Sequence, residues 1–360
     1  MDVGFFLEIL GMNSTSGNEL RLSEFLKERL PFYIPEKKFP DFRVFEQKVD
    51  ENSMNLLLDW SGTGCPEYVF CTHMDTVPPY IKPSLGLVGK GDRLPDGKIA
   101  EQDDTLITGR GSCDAKGQIF TMLNAAIRLA EDGFSNIGVL LVSGEETGSY
   151  GAKAWDKEMP GGKFVLVGEP TDNKMISASK GTKQYGLTFF GKSCHSGYPE
   201  HGESAIDIFV DFVDRLREVE FPDDPILGRT TWNIGELSSD NPHNVLSPEI
   251  SFRIYFRTTF ATDSLIDNAL LSICPPSATI DQYGGDDPKE YFHEVPGVGS
   301  QISCFGSDAP RLTKFQKKAI YGPGSILTAH TDNEYVLLSD ILSAAQTEKR
   351  IMEFAIDNKI

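Results

Sequence analysis

The sequence predicts an α/β protein with a mixed sheet flanked by helices, into which a smaller α+β domain is inserted. Apolar runs at residues 68–73, 137–142 and 163–167 are typical of strands that are buried on both faces of a sheet. An apolar helix over residues 119–127 separates the first two runs, as in folds that alternate strands and helices. From residue 181 to 293 the pattern changes to exposed strands and amphipathic helices, which predicts a second domain.

Length and composition exclude several classes of protein. The chain has 360 residues, of which 39% are hydrophobic, so two domains are favoured and one large domain is not excluded. The net charge of -19 argues against nucleic acid and anionic membranes as partners. No apolar run reaches the roughly 18 residues of a membrane span, and Met1–Glu8 does not read as a signal peptide. Six cysteines without a CxxC pair indicate free thiols, so we expect a cytoplasmic protein.

The N-terminal part of the chain supplies helices and a hairpin before the first buried strand. Apolar spacing over residues 5–30 predicts two helices separated by a loop. Alternating residues at 43–49 and 54–60 predict a β-hairpin. Residues 80–108 are polar and rich in glycine, proline and aspartate, and we interpret them as a surface loop.

The inserted domain has the element order of a ferredoxin-like sandwich. Its predicted elements are strand, helix, strand, strand, helix and strand, at residues 181–192, 204–219, 229–237, 249–258, 263–273 and 278–283. That order is a split βαβ arrangement. The α/β pattern resumes near residue 296 and ends in a helix over about 339–357. We therefore expect one domain over residues 1–180 and 294–360 and another over 181–293.

A histidine and a carboxylate follow the first buried strand. His73 and Asp75 project from the same face of an extended chain, because residues i and i+2 share a face. The carboxyl end of a buried strand is where an α/β sheet places its chemistry. A metal-bound imidazole often donates its second N–H to a carboxylate, and Asp75 is placed for that role. The alternative is a histidine that is merely packed at a strand end.

Acidic residues occupy corresponding positions elsewhere in the α/β region. Asp114 lies between glycines at the start of a helix, where it is either an N-cap or a carboxylate that bridges metal ions. Glu145 and Glu146 follow the strand at 137–142, and Glu169 follows the next strand. Such carboxylates are costly at the end of a buried strand unless they bind something, although a solvated loop is the alternative.

Two imidazoles and three carboxylates form a candidate set of metal ligands: His73, Asp114, Glu146, Glu169 and His330. Oxygen and nitrogen ligands without thiolate suit zinc, cobalt or manganese in a catalytic site. If Asp114 bridges two ions about 3.5–4 Å apart, each ion gains one imidazole and one carboxylate. The sequence therefore predicts a site for two divalent metal ions, zinc first among them.

These motifs together resemble the dizinc metallohydrolase family that includes acetylornithine deacetylase, succinyl-diaminopimelate desuccinylase, aminoacylase and carboxypeptidase. The matching segments are residues 73–78, 109–117, 144–151, 168–171 and 329–331. The resemblance implies a zinc-peptidase-like catalytic domain and an inserted dimerisation or lid domain. It also implies that His73 and Glu169 hold one zinc, that Glu146 and His330 hold the other, and that Asp114 bridges them.

The resemblance also implies catalytic roles for three residues. Asp75 would orient the imidazole of His73. Glu145 would be the general base that accepts the proton of the attacking water and passes it to the leaving amine. Residues 191–197 resemble the family's dimerisation signature, in which the histidine, here His195, reaches the partner subunit's site and stabilises the oxyanion. A surface imidazole is the alternative for His195.

Substrate-binding residues are implied by the same resemblance. Asn244 and Arg257 resemble residues that bind the substrate's carboxylate, for which a planar guanidinium is well suited. The family often has an acidic residue two positions before that arginine, where this chain has Tyr255. Residues 304–309 resemble a Gly-x-Asp-Ala turn near the floor of the site.

The implied activity is hydrolysis of the amide bond of an N-acyl amino acid. The Gly-Glu-Pro-Thr context at residues 168–171 resembles the deacetylase branch, which indicates N-acetyl or N-succinyl ornithine, citrulline or lysine and a biosynthetic role. A dipeptidase or carboxypeptidase is the alternative within the same chemistry. A non-catalytic binding protein is a third hypothesis. The small-molecule substrate would be the main partner, and a homodimer would form through the inserted domain.

Overall fold

The computed structural model describes residues 1–360, which form two compact units. The first unit contains Met1–Ser177, Tyr291–Gln301 and Ser307–Ile360. The second contains Ala178–Glu290 and Ile302–Gly306. The predicted second domain, residues 181–293, begins and ends three residues later than the main segment of this unit. The prediction did not include residues 302–306.

Helices and strands alternate along much of the chain. The helices are α1 Val3–Leu10, α2 Leu20–Tyr33, α3 Lys116–Glu131, α4 Tyr150–Glu158, α5 Ala205–Glu218, α6 Ile266–Ile273 and α7 Leu338–Asp357. The strands are β1 Arg43–Lys48, β2 Met54–Asp59, β3 Tyr68–His73, β4 Ser84–Val88, β5 Asp104–Thr108, β6 Ile137–Val142, β7 Phe164–Val167, β8 Met175–Ser179, β9 Gly181–Phe190, β10 Thr231–Ser238, β11 Glu249–Thr258, β12 Thr279–Asp286, β13 Lys289–Glu290, β14 Ser300–Ser303, β15 Lys317–Ile320 and β16 Tyr335–Leu337. No helix is long and apolar enough to cross a bilayer.

The first unit is built on a six-stranded mixed sheet in the order β1-β2-β6-β3-β7-β15. Strands β6, β3, β7 and β15 are parallel. Strand β2 pairs antiparallel with both β6 and β1. Phe70 packs into a core with α3 and α7, whereas Val69 and Cys71 pack against α4 on the other face. Both faces of the sheet are thus covered, which explains why these strands are apolar throughout. The predicted mixed sheet with flanking helices is confirmed.

One local prediction in this unit was wrong. Residues 80–108 are not a plain loop, because β4 and β5 pair with each other and β5 pairs with β16. These strands are short, β4 is exposed to half-buried and β5 is mostly half-buried, so they lack the apolar pattern of the buried strands. The glycine-rich stretch after β6 leads into α4, which begins at Tyr150.

The second unit is a four-stranded antiparallel sheet in the order β10-β11-β9-β12, with α5 and α6 on one face. This order confirms the ferredoxin-like prediction. Residues of β11 alternate between buried and half-buried, as expected for a sheet with one covered face. The core includes Phe189, whose ring centroid lies 5.2 Å from that of Phe212 and 5.1 Å from that of Phe252. Burying each such side chain contributes about 1.5–3 kcal/mol.

Candidate metal centre

The carboxyl ends of three adjacent parallel strands carry the predicted site residues. His73 is the last residue of β3, Glu145 and Glu146 follow β6, and Glu169 follows β7. The three ends lie side by side, because β3 pairs in parallel with both β6 and β7. Met74 continues the ladder by donating its N–H to the carbonyl of Val142 at 2.8 Å. The order of the strands therefore gathers side chains that are far apart in the sequence.

Asp114 lies between two imidazoles. Its Oδ1 is 3.1 Å from Nε2 of His73, and its Oδ2 is 3.3 Å from Nε2 of His330. Nε2 of His330 is also 2.9 Å from Oε1 of Glu146. Ligand atoms of His73, Asp114 and Glu146 all lie within 4.8 Å of one another. Each oxygen of Asp114 thus faces one imidazole, which is the arrangement that a bridging carboxylate needs.

Asp114 is not the N-cap of α3, so that alternative was wrong. The helix begins at Lys116, and Ala115 occupies the N-cap position without a side-chain hydrogen bond. The carboxylate of Asp114 turns instead towards the imidazoles, while its backbone N–H donates to Oε1 of Glu334 at 3.1 Å. The glycines around Asp114 indicated a sharp turn, and this tertiary hydrogen bond fixes it.

Glu169 is buried beside this group. Its Oε1 has no hydrogen-bond partner within the protein. Burial raises the pKa of Glu169 well above its ordinary value, and the charge of Glu145 adds to the shift. A buried carboxylate oxygen without a partner is costly, and a cation is the group that would satisfy it. Glu169 thus fits a metal ion, although it lies outside the group of three that is within 4.8 Å.

The electrostatics of the cluster indicate a deficit of positive charge. Burial raises the pKa of both Glu145 and Glu146. Hydrogen bonds with Asp114 and Glu146 raise the pKa of His330 to about 10. Burial opposes the ionisation of Asp114, but hydrogen bonds from His330 and His73 lower its pKa below the ordinary value. Carboxylates outnumber imidazoles in this cluster, and divalent metal ions would supply positive charge with ligand chemistry that suits nitrogen and oxygen donors.

Asp75 contacts the turn that carries Glu145 and Glu146 as well as the imidazole of His73. Nδ1 of His73 is 3.0 Å from the backbone oxygen of Asp75 and 3.3 Å from its Oδ1. Oδ1 accepts the N–H of Glu145 at 3.0 Å, and Oδ2 accepts the N–H of Glu146 at 3.2 Å. The hydroxyl of Ser16 donates to Oδ2 at 2.8 Å. Asp75 therefore links two ligand-bearing loops. No local pattern in the sequence identifies Ser16 as part of this network.

A second buried network, missed in the sequence, supports the turn before Glu145. The hydroxyl of Tyr150 donates to Oε1 of Glu19 at 3.0 Å, and the hydroxyl of Ser53 donates to Oε2 at 2.6 Å. The Tyr150 ring lies directly against Gly144, where a Cβ atom would be 1.7 Å from a ring carbon. Gly144 also has a φ of +68°, which favours glycine. The pairing of Glu19 with Tyr150 is tertiary and has no local sequence signature.

Comparisons with known proteins identify the family. Residues 69–353 match the model of Peptidase family M20/M25/M40. The chain belongs to this family. A probable carboxypeptidase of Aspergillus clavatus is 28% identical over an alignment of 384 residues. The alignment covers 99% of this chain and 89% of that protein. The resemblance inferred from the motifs is confirmed, and this M20 chain is a metallohydrolase that acts on amide bonds.

Solved structures share the fold of this M20 chain. A tripeptidase from Staphylococcus aureus superposes with a TM-score of 0.76 and 21% identity, covering 98% of this chain and 97% of that chain. A dinuclear metal-binding M20 peptidase from Bacillus subtilis has a TM-score of 0.68 and 10% identity, covering 99% and 97%. These similarities establish the fold.

The remaining predicted residues of this M20 chain belong to the second unit. His195 is exposed, and its Nδ1 accepts the N–H of Gly197 at 3.1 Å. A neutral His195 therefore carries its proton on Nε2, where it is available as a donor. The carbonyl of Asn244 accepts the N–H of Ser196 at 3.0 Å, so the segments that carry His195 and Asn244 lie side by side.

Arg257 lies on the face of the second unit's sheet that α5 and α6 do not cover. Its guanidinium is 4.9 Å from the ring centroid of Tyr255, the residue that occupies the position where the family often has an acid. Stacking on an aromatic ring leaves the charge of a guanidinium available to an anion. The departure from the family pattern thus replaces an acidic neighbour with an aromatic one.

Proposed function

We propose that this chain hydrolyses the amide bond that joins a peptide or an acyl group to an amino acid with a free carboxylate. The observation that carries the proposal is the placement of Asp114, whose two oxygens face His73 and His330. His73 and Glu169 would hold one divalent ion, Glu146 and His330 the other, with Asp114 between them. The ions, zinc first and cobalt or manganese as alternatives, would polarise the scissile carbonyl and lower the pKa of water.

Glu145 is the proposed general base. It is half-buried in the cluster, and its backbone N–H donates to Asp75, so its position is fixed relative to His73. A raised pKa suits a carboxylate that must accept a proton from the attacking water and return it to the leaving amine. Asp75 contributes by holding both the imidazole of His73 and the turn that carries the base.

The second unit supplies the proposed substrate contacts. Nε2–H of His195 is the donor for the oxyanion that develops during attack, and we propose that it acts in the partner subunit of a homodimer. Arg257 and Asn244 are proposed to bind the carboxylate of the substrate, because a stacked guanidinium offers parallel N–H donors to it. A free carboxylate next to the scissile amide is then the shared feature of all substrates.

Two substrate classes satisfy this requirement. The name of the Aspergillus clavatus relative supports a carboxypeptidase, which releases the last residue of a peptide. The resemblance at residues 168–171 supports deacylation of N-acetyl or N-succinyl ornithine, citrulline or lysine. We place the carboxypeptidase or dipeptidase reaction first, because the relative that carries this name aligns with nearly the whole chain.

Amine release from a matched substrate panel tests the proposal. The zinc-loaded protein is assayed with dipeptides, N-acetyl and N-succinyl amino acids, and the same compounds with the carboxylate amidated. We expect turnover that a chelator abolishes and zinc restores, and that falls at least tenfold on amidation. Preference for peptides selects the carboxypeptidase reaction, and preference for acyl amino acids selects the deacylase. No chelator-sensitive turnover of any member would contradict the proposal.

Arg257→Lys tests the carboxylate contact. We expect KM to rise about tenfold for free carboxylates and to change little for amidated compounds, because lysine lacks the planar fork. Arg253→Lys is the matched control, since Arg253 lies on the same strand and is paired with Glu236 at 2.8 Å. An equal effect of both variants would remove Arg257 as the carboxylate-binding residue.

A further inference from the structure

A buried ion pair lies next to the candidate metal centre. Nη1 of Arg110 is 2.7 Å from Oε2 of Glu334, and the two side chains are 1% and 0% exposed. Desolvating two charges is costly, so such a pair persists where further hydrogen bonds satisfy its remaining atoms. The partners of this pair therefore show what it holds in place.

Glu334 binds the loop that precedes α3. Its Oε1 accepts the backbone N–H groups of Gly111, Cys113 and Asp114 at 2.9, 3.2 and 3.1 Å. Three amides that converge on one carboxylate oxygen define the path of the loop closely. The backbone of Asp114 is thus fixed by Glu334 while its carboxylate faces the imidazoles.

Arg110 binds two other loops of the site. Its Nε donates to the carbonyl of Pro79 at 3.2 Å, and its Nη1 donates to the carbonyl of Thr331 at 3.1 Å. Thr331 directly follows His330, whose φ of +63° is uncommon for a residue other than glycine. The hydrogen bond to Thr331 therefore anchors the turn that presents the His330 imidazole.

The same spacing of four residues recurs in all three loops. Arg110 lies four residues before Asp114, Glu334 lies four residues after His330, and Pro79 lies four residues after Asp75. The ion pair thus joins the loops that carry His73, Asp114 and His330. It does so through their backbone groups and not through the side chains of the proposed ligands.

We infer that the Arg110–Glu334 pair positions the metal centre by setting Asp114 relative to His330. The inference rests on the proposed function only in that these residues bind metal. Arg110 and Glu334 are positioning residues, because they act through the backbone of the ligand loops. Without the pair, the two oxygens of Asp114 no longer face both imidazoles at the required separation.

Metal binding by Glu334→Gln tests this role. The carboxamide must point an N–H₂ group either at Arg110 or at the three amides, so a donor faces a donor. We expect the dissociation constant for Zn²⁺ or Co²⁺, measured by calorimetric titration of the metal-free protein, to rise about 10- to 100-fold. The visible absorption of the Co²⁺ form should also change, because it reports the geometry of the ligands.

Glu348→Gln is the matched control. Glu348 is fully buried in the same unit and accepts a hydrogen bond from Thr121 at 2.8 Å. Its substitution should leave both the dissociation constant and the Co²⁺ spectrum at wild-type values. If Glu334→Gln does not fold, Glu334→Asp replaces it, because the shorter acid keeps its charge but does not span Arg110 and the amides together.

The outcomes separate this inference from the proposed function. A folded Glu334 variant with wild-type affinity and a wild-type Co²⁺ spectrum would make the pair merely structural and overturn the inference alone. A wild-type protein that binds no divalent ion would overturn the proposed function and the inference with it.

Discussion

The two compact units place their charged side chains in opposite ways. In the first unit, His73 and Glu169 are buried at the carboxyl ends of parallel strands, and Asp114 is buried in the loop before α3. In the second unit, Arg253 and Arg257 lie on the partly exposed face of an antiparallel sheet. The difference follows from the sheets, because a parallel sheet covered on both faces offers polar groups a place only at the ends of its strands.

This contrast divides the proposed work between the units. The proposed chemistry that needs desolvated charges belongs to the first unit. Burial there raises the pKa of Glu145, Glu146 and Glu169. The second unit offers the groups that are proposed to meet a substrate, such as the exposed His195 and the half-buried Arg257. Substitutions in the two units should therefore reduce activity or stability for different reasons.

Glu145→Gln should give the largest effect. The amide cannot accept a proton, so we expect kcat to fall about 10²- to 10⁴-fold. KM and the metal content should stay at wild-type values, because Glu145 is not a proposed ligand. Steady-state kinetics with metal analysis of the same sample checks both. A metal-loaded variant with wild-type turnover would remove Glu145 as the base.

His195→Ala should lower kcat about 10²- to 10³-fold by removing a donor to the oxyanion, again with unchanged metal content. His201→Ala is the control in the same unit, since His201 is exposed and paired only with Glu200 at 3.7 Å. Equal effects of the two variants would contradict the proposed role.

Mixing the inactive His195→Ala and Glu145→Gln proteins sharpens this result. If His195 acts in the partner subunit, a mixed dimer contains one site with both intact residues and regains part of the activity. Activity that stays at the sum of the two separate proteins would place His195 in its own subunit or outside catalysis.

Gly144→Ala should destabilise the first unit by about 3 kcal/mol, because a methyl group meets the Tyr150 ring and the residue has a positive φ. Gly148→Ala is the control, with a φ of +105° but no atom within 4 Å of the added Cβ. It should cost about 1 kcal/mol. Denaturant unfolding measures both, and equal losses would show that packing against Tyr150 contributes nothing.

Glu348→Gln should give the effect on stability that depends most on pH. Burial raises the pKa of Glu348 well above its ordinary value, so the folded state holds a proton that the unfolded state releases. Wild-type stability should therefore fall, by at most about 1.4 kcal/mol per pH unit, as the pH rises above the unfolded pKa. The variant should lack this contribution and gain stability relative to wild type towards neutral pH. Parallel pH profiles of the two proteins would contradict this.

The sequence predicted those features that have local signals. The apolar runs of β3, β6 and β7 and the polar residues after them are visible because strand burial and strand ends both leave a pattern within a few residues. Strands β4 and β5 were missed because short strands that are not buried on both faces leave no such pattern.

Features that depend on distant residues could not be predicted. Asp114 was open to interpretation as a helix cap because its local context suits one, and only the imidazoles and Glu334 decide its orientation. The pairs Glu19–Tyr150 and Arg110–Glu334 join residues 131 and 224 positions apart. Nothing near any of these residues in the sequence identifies its partner.

The long separation of Arg110 from Glu334 has a consequence for biosynthesis. His73, Asp114, Glu146 and Glu169 all leave the ribosome before the bulk of the second unit, and His330 leaves after it. A nascent chain that has not reached residue 330 thus presents four of the five proposed ligands but lacks the imidazole that faces Oδ2 of Asp114. The proposed ligand set is therefore complete only after residue 330 has been synthesised.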